Sequence, residues 1–110
     1  MSRLTAEMWV SAYLTRLRLE NIPAFVVRKG EATAGQVLIK LNRLDGSAIL
    51  FQRIVDILTD TRKWDVLFDG TEDEVDASVE RQSGFDPDLW VIEVEDKAGR
   101  HLLDEPGLSD

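Results

Sequence analysis

His101 is the single histidine of the chain, so any imidazole catalysis must run through this residue. It follows a predicted turn, with Arg100 beside it and Asp104 close in sequence. A serine nucleophile would need a supporting motif, and none surrounds the internal serines Ser11, Ser47, Ser78 and Ser83. We therefore interpret His101 as a surface or half-buried structural residue and predict no catalytic residue.

Two acidic segments near the C-terminus could serve a metal or an acid–base reaction. Asp86 and Asp88 flank a proline and could bind a hard cation together with Glu93 or Asp96. A calcium loop would need a third spaced oxygen donor and a central glycine, and zinc or iron would need more histidine or cysteine. Because Asp and Pro are also ordinary turn formers, we favour a turn here and predict no metal and no cofactor.

Glu93 and Glu95 lie two residues apart on a predicted strand, so their side chains share a face at about 7 Å. Such a pair could act on a glycoside, but a cleft lined with aromatic groups is not evident. We prefer cross-strand pairing with Lys40 and Arg53, which occupy polar positions of their own predicted strands. Each exposed pair would contribute up to about 1 kcal/mol.

Basic and aromatic residues supply the candidates for an interface. Seven Lys or Arg residues could form a nucleic-acid patch with Phe51 or Trp64 as a stacking surface: Arg28, Lys29, Lys40, Arg43, Arg53, Arg62 and Lys63. An exposed Trp64 beside Arg62 and Lys63 would suit a protein interface, since Trp and Arg concentrate in binding hot spots. The predicted interface residues are Arg62, Lys63, Trp64, Arg53, Val91 and Glu93.

Charge is divided unevenly along the chain, whose net charge is −8. Residues 1–64 carry ten Lys or Arg and six Asp or Glu, whereas residues 65–110 carry three and fifteen. The acidic half repels phosphate, so the charge argues against affinity for nucleic acid or an anionic membrane surface. The simplest interpretation is that the two halves fold against each other and neutralise locally.

The length of 110 residues suits one domain over residues 1–110, with a frayed tail over about 104–110. A composition with 44% hydrophobic and 31% charged residues is typical of a globular chain. The uninterrupted apolar runs are only four residues long, and we expect neither a membrane span nor a secretory signal. The absence of cysteine fits a reducing cytosol, so we predict a cytoplasmic location.

Apolar spacing predicts the elements that must position these residues. Trp9, Tyr13 and Leu17 lie on one stripe of a helix from about Thr5 to Glu20. Alternation and turn signals predict strands over residues 24–29, 36–43, 48–55 and 89–95, with weaker ones over 64–68 and 100–103. Residues 56–63 look like a polar connection. Thr71 and Glu74 form a capping box for a second helix that ends before Gly84.

These elements predict an α+β domain with a mostly antiparallel sheet of five or six strands. The N-terminal helix packs on one face, and the second short helix lies at the margin. The other face is polar, with Leu38, Val91 and Phe51 among its charges. The expected core is Val10, Leu14, Val26, Ile39, Leu41, Leu50, Trp90, Ile92 and Val94.

Three segments give the chain a resemblance to a known family: residues 3–10 (RLTAEMWV), residues 85–96 (FDPDLWVIEVED) and residues 99–104 (GRHLLD). Together with residues 27–30, they resemble a family of short alphaproteobacterial proteins classed only as a domain of unknown function. The resemblance implies a bacterial, cytosolic, single-domain protein and carries over no catalytic residue.

The leading functional hypothesis is a non-enzymatic protein-interaction domain, adaptor or regulatory, with an unidentified protein partner or as a homodimer. The alternative is a small ligand- or metal-binding domain or enzyme that uses Asp86, Asp88, Glu93 and His101. Nucleic-acid binding through the basic N-terminal half is the third.

Overall fold

The computed structural model describes residues 4–109 and contains two helices and five strands in this range. In chain order they are α1 (Ala6–Leu19), β1 (Ala24–Arg28), β2 (Val37–Asn42), β3 (Ser47–Asp56), β4 (Thr61–Thr71), α2 (Glu72–Phe85) and β5 (Trp90–Glu95). The strands form one sheet in the order β1-β5-β2-β3-β4. The α+β class and the N-terminal helix are thereby confirmed.

The sheet is mixed: three of its four strand pairs are antiparallel, in line with the predicted mostly antiparallel sheet, and one pair is parallel. Strand β5 lies between β1 and β2 and runs parallel to β2, from Val37 opposite Trp90 to Asn42 opposite Glu95. As a central strand, β5 is buried on both faces: the successive residues Val91 and Ile92, which point to opposite faces, are 1% and 0% exposed. The predicted sixth strand over residues 100–103 is irregular chain instead.

Helix α1 covers the first face of the sheet as predicted. The Thr5 side chain accepts a hydrogen bond from the Met8 N–H and caps the helix. Trp9, Tyr13 and Leu17 are buried against the sheet. The segment after β5 packs on the same face: Leu103 and Leu108 are 2% and 1% exposed. The frayed tail over about 104–110 stays a prediction, and Asp110 lies outside the described residues.

Helix α2 packs on the opposite face, so the molecule has three layers. The capping box of Thr71 and Glu74 is present, and Val75 is fully buried. Beneath the helix lies a second apolar cluster that includes Leu38 and Val91. The prediction of a polar second face is therefore wrong. Helix α2 contacts β3 and β4, the strands toward one edge, as expected for a helix at the margin, and it also covers this apolar cluster.

The predicted core is largely confirmed, with two exceptions. Val26 lies on the edge strand β1 and is 40% exposed, and Leu14 is only partly buried. Phe51 belongs to the first face and packs with the α1 cluster. Register explains this, because Phe51 lies opposite Ile39 across the β2–β3 pair.

The β3–β4 hairpin extends past the rest of the sheet. Strand β2 pairs with β3 only from Ala48 to Gln52, whereas the β3–β4 pairing continues from Arg53 opposite Trp64 to Asp56 opposite Thr61. The predicted polar connection over residues 56–63 is thus the end of a two-stranded ribbon. This ribbon carries most of the candidate interface residues.

Candidate functional site

A tryptophan–arginine stack forms where the ribbon meets α1. Arg53 of β3 lies opposite Trp64 of β4, and its guanidinium carbon is 4.8 Å from the ring centroids of both Trp64 and Trp9. The two indole rings are 5.1 Å apart, and the Trp64 Nε1–H donates to the Leu108 carbonyl at 3.0 Å. The guanidinium thus contacts both indole rings, which also contact each other, and cation–π attraction favours this arrangement. Its predicted pairing with Glu93 or Glu95 is wrong, because those carboxylates belong to the other face of the sheet.

An arginine pocket of about 280 Å³ opens beside this stack. It lies between the ribbon, the start of α1 and the loop before β2. Its lining residues are Leu4, Ala6, Thr33, Ala34, Gly35, Gln36, Val37, Arg53, Val55 and Arg62. Among the lining residues that fall within residues 4–109, the charged side chains are those of Arg53 and Arg62.

The loop that lines the arginine pocket is tightly held. The Glu31 carboxylate accepts hydrogen bonds from the Thr33 and Ala34 N–H groups at 3.0 and 2.6 Å, which lower the pKa of this carboxyl group. The Trp90 Nε1–H donates to the Glu31 carbonyl at 2.7 Å. A Cβ on Gly35 would come within 2.6 Å of the Asp88 carbonyl oxygen, so only glycine permits this close approach. The loop is therefore fixed against β5 before any ligand arrives.

The end of the ribbon exposes aliphatic side chains, and we call Val55, Ile57 and Leu58 the hairpin tip. Their exposed fractions are 55%, 90% and 95%. Asp56 and Asp60 flank the two outermost residues in sequence. Full exposure of two neighbouring aliphatic residues on a projection is unusual for a surface that remains in water.

A charged cluster fastens α2 to the middle of the sheet. The Lys40 ammonium lies 2.6 Å from Asp76, 3.3 Å from Glu93 and 3.6 Å from Glu72, while Lys40 itself is 4% exposed. The Asn42 amide donates to both glutamates at 3.0 and 3.3 Å. Burial alone would lower the pKa of Lys40, but the bond to Asp76 and the neighbouring carboxylates raise it overall. The predicted pairing of Lys40 with Glu93 is confirmed, and its evident role is to bind helix to sheet.

The structure divides the six predicted interface residues between two places. Four lie together on the ribbon: Arg53, Arg62, Lys63 and Trp64. Val91 is 1% exposed beneath α2 and is not available at the surface, and the Glu93 side chain is 14% exposed within the Lys40 cluster. An interface role for the ribbon residues stays a prediction.

The residues of the alternative catalytic or metal site do not converge. Asp86 ends α2 and accepts the Asp88 N–H in a turn, whereas Glu93 faces Lys40 on the α2 side. His101 lies on the α1 side, 4.8 Å from the Phe51 ring, and its Nδ1 accepts the Leu103 N–H. Burial lowers its pKa, although Asp104 opposes this shift. Within residues 4–109, no group of three His, Asp or Glu side chains could hold a metal ion.

Sequence reasoning missed the hairpin tip. Ile57 and Leu58 lie in a segment with five polar residues after them, and this composition suggested a connection. The predicted strand over residues 48–55 already included Ile54 and Val55, and its pattern gave no signal for the exposure of the two residues beyond it. The arginine pocket had no sequence signal, because its lining comes from four separate segments.

Comparison with known proteins identifies relatives over nearly the whole chain. A family model described as a protein of unknown function (DUF1491) matches residues 4–104. A crystal structure of a DUF1491 family protein from Caulobacter crescentus is 42% identical, with a TM-score of 0.85, and the match covers 94% of this chain and 98% of that one.

Two solution structures are also similar to this chain. An NMR structure of a DUF1491 family protein from the same bacterium is 41% identical at a TM-score of 0.83, covering 96% and 97% of the two chains. A protein from A. tumefaciens is 30% identical at a TM-score of 0.74, covering 86% of each chain. No curated protein matches the sequence. Among residues 4–109, no helix is long and apolar enough to cross a membrane.

Proposed function

The chain belongs to the DUF1491 family of proteins of unknown function, and for this member we propose a non-enzymatic role as a protein-interaction domain, adaptor or regulatory, that docks through the hairpin tip. The observation that carries the proposal is the exposure of Ile57 and Leu58, at 90% and 95%, on a ribbon that projects from the sheet. The proposal includes a cytoplasmic location, which the absence of cysteine fits.

Burial of the hairpin tip would stabilise a complex substantially. Transfer of one fully exposed Leu or Ile side chain out of water contributes roughly 1.5–3 kcal/mol. A ribbon of two strands is also only marginally stable by itself, and a partner would limit its motion. Ile57 and Leu58 are therefore the expected anchors, with Trp64 and the arginines of the ribbon nearer the body of the protein.

The chemistry of the tip favours a protein partner with an apolar cleft. Asp56 and Asp60 flank the aliphatic residues, and the whole chain carries a charge of −8. Both features disfavour nucleic acid and an anionic membrane surface, where basic residues would be expected. A protein cleft can accept two aliphatic side chains and place polar groups beside the carboxylates.

The test is affinity capture with matched variants of the full chain. Tagged wild type, an Ile57→Ser/Leu58→Ser double variant and a Phe85→Ser control are incubated with nuclease-treated Caulobacter crescentus extract at low and high salt. Phe85 is a good control because it is 85% exposed but lies at the end of α2. Substitutions at such exposed positions leave stability within about 0.5 kcal/mol, so all three proteins should be folded.

We expect wild type and the Phe85→Ser control to retain the same protein at high salt, and the double variant to lose it. Retention at high salt is expected because apolar contacts are not screened by ions. Capture that is equal for all three proteins, or disappears at high salt, would overturn the proposal. An empty capture by wild type, together with a monomeric mass by light scattering, would overturn it as well.

A further inference from the structure

We propose that a second copy of this chain pairs with the open edge of the sheet along β1, antiparallel and in a register centred on Phe25. The resulting homodimer has one continuous sheet, to which each copy contributes its five strands. This inference does not depend on docking through the hairpin tip, because β1 and the ribbon lie at opposite edges of the sheet.

Strand β1 is an apolar edge. It stands first in the strand order, and no strand within residues 4–109 pairs with its outer side. Phe25, Val26 and Val27 are 47%, 40% and 52% exposed. The opposite edge strand β4 instead carries charged residues such as Lys63 and Asp65. Because charged side chains protect an edge from pairing, β1 is the edge that is open to another chain.

The pairing of β1 with β5 shows which backbone groups face outward. The Glu95 N–H donates to the Pro23 carbonyl at 2.9 Å, which makes Pro23 and Glu95 a hydrogen-bonded position of this antiparallel pair. Such positions alternate with non-bonded ones, so the backbone groups of Phe25 are also directed to β5. The N–H and C=O groups of Ala24 and Val26 therefore point to the open edge.

These four outward groups fit a two-fold axis. A second β1 pairs with all of them when its Val26 lies opposite Ala24 and its Ala24 lies opposite Val26, so the axis passes between the two Phe25 residues. A register centred on Ala24 or on Val26 would leave half of the groups unpaired. The Ile22 N–H is already bonded within the chain, and a bulge between Val26 and Arg28 shifts the backbone beyond Val26. The edge thus favours a single register.

The side chains agree with this register. Phe25 lies opposite Glu93, which belongs to the α2 face, whereas α2 contacts β3 and β4 farther across the sheet. At a non-bonded position the Cα atoms are only about 4.5 Å apart, so the two Phe25 rings can pack on each other. On the α1 face, Val26 lies beside Ala24 of the second copy. The pairing therefore covers apolar surface on both faces.

Charge supports the antiparallel direction. The exposed Lys29 follows β1, and the exposed Glu20 precedes it. Antiparallel pairing brings the basic end of one strand to the acidic end of the other, twice in each dimer. Opposite charges at the two ends of an interface favour one direction of association over the other.

The first experiment is sedimentation of the full chain from about 1 μM to about 1 mM, since a small interface gives weak association. We expect the mass of wild type to rise from one chain to two. Phe25→Ser should raise the dissociation constant at least about tenfold, because it removes the central aromatic pair. Val66→Ser is the control, since Val66 is 48% exposed on β4 at the other edge, and it should match wild type within about twofold.

The second experiment tests the register with single cysteines, which is possible because the chain contains none. The variants are Phe25→Cys, Val26→Cys and Val66→Cys under mild oxidation. Two Cα atoms at position 25 would be about 4.5 Å apart, within the range of a disulfide. At position 26 they would be about 8 Å apart, beyond that range. We therefore expect a covalent dimer from Phe25→Cys alone.

Two results would overturn the proposal. One is a wild type that stays monomeric over the whole concentration range. The other is cross-linking of Val26→Cys or Val66→Cys as fast as that of Phe25→Cys, which would reveal another register or random collision. A monomer that still captures a partner through the hairpin tip would overturn only the dimer, so the two proposals fail separately.

Discussion

Replacing Lys40 with methionine removes the cation that Asp76, Glu93 and Glu72 share between α2 and the sheet. Methionine has nearly the same length, so the substitution leaves little cavity and changes mainly the charge. Breaking a buried ion pair by removal of one partner typically costs about 3–5 kcal/mol. Here the side chains of Asp76 and Glu72 are 53% and 40% exposed, so water can hydrate them once the lysine is gone.

Glu93 is the carboxylate that stays poorly hydrated, since its side chain is 14% exposed. Loss of one hydrogen bond to a charged group contributes about 1.5–3 kcal/mol, and the remaining carboxylates repel one another. We therefore expect Lys40→Met to lower the free energy of unfolding by about 2–3 kcal/mol at pH 7, below the fully buried range. Urea unfolding followed by tryptophan fluorescence measures this change. Lys63→Met, on the exposed ribbon, is the control and should stay within about 0.5 kcal/mol of wild type.

The pH dependence of the stability difference between wild type and Lys40→Met is a second test of the role of Lys40. The folded-state pKa of Lys40 is raised above its ordinary value of about 10.4, so its ion pairs stabilise the fold fully below that pH. The contribution is lost as the pH rises through the folded-state pKa. Burial raises the pKa of Tyr13 as well, and wild type and variant share that alkaline loss. The difference between the two proteins should therefore shrink above about pH 10.4. A variant as stable as wild type at pH 7, or a difference that is constant up to pH 12, would refute the reasoning.

Three further predictions test local features. Gly35→Ala places a Cβ within 2.6 Å of the Asp88 carbonyl and should lower the free energy of unfolding by about 1–3 kcal/mol. Gly84→Ala places its Cβ in open space on α2 and should raise the free energy of unfolding by up to about 1 kcal/mol. Thermal unfolding of both variants measures the contrast. Burial lowers the pKa of His101, so wild type should lose stability as the pH falls below about 6.5. His101→Gln should abolish that loss, and urea unfolding of both proteins at pH 5 and 7.5 measures the difference. Thr71→Ala removes the N-cap of α2 and should cost about 1 kcal/mol of unfolding free energy, which Thr71→Ser should restore.

Local sequence determined the elements whose signals lie within a few residues of one another. The stripe of Trp9, Tyr13 and Leu17 predicted α1, and Thr71 with Glu74 predicted the start of α2. These predictions succeeded because helix periodicity and capping involve neighbouring positions only. The membership of an uncharacterised family was likewise evident from short segments, as the family match confirmed.

Tertiary structure alone decided the order of the strands. The alternation of residues 89–95 predicted a strand but not its neighbours, and β5 lies parallel to β2 in the centre of the sheet. Strand pairing depends on which long-range arrangement buries the most apolar surface, and local propensity does not report that comparison. For the same reason, the sequence did not show that α2 covers the second face of the sheet. Leu38 and Val91 looked like isolated apolar residues of a polar face, but they are buried in the apolar cluster beneath α2.

The register of strand pairing decided on which face of the sheet each candidate site residue lies. Lys40 and Arg53 both looked like polar-face cations, yet Lys40 lies under α2 beside Glu93 while Arg53 contacts Trp9 and Trp64 on the other face. A shift of one residue in pairing moves a side chain through the sheet, so register determines whether a cation joins an ion cluster or lines a pocket. The sequence by itself determined which residues carry charge and which form helices and strands. Only the long-range packing of those elements brought two arginines to one concavity and left two aliphatic residues exposed at the hairpin tip.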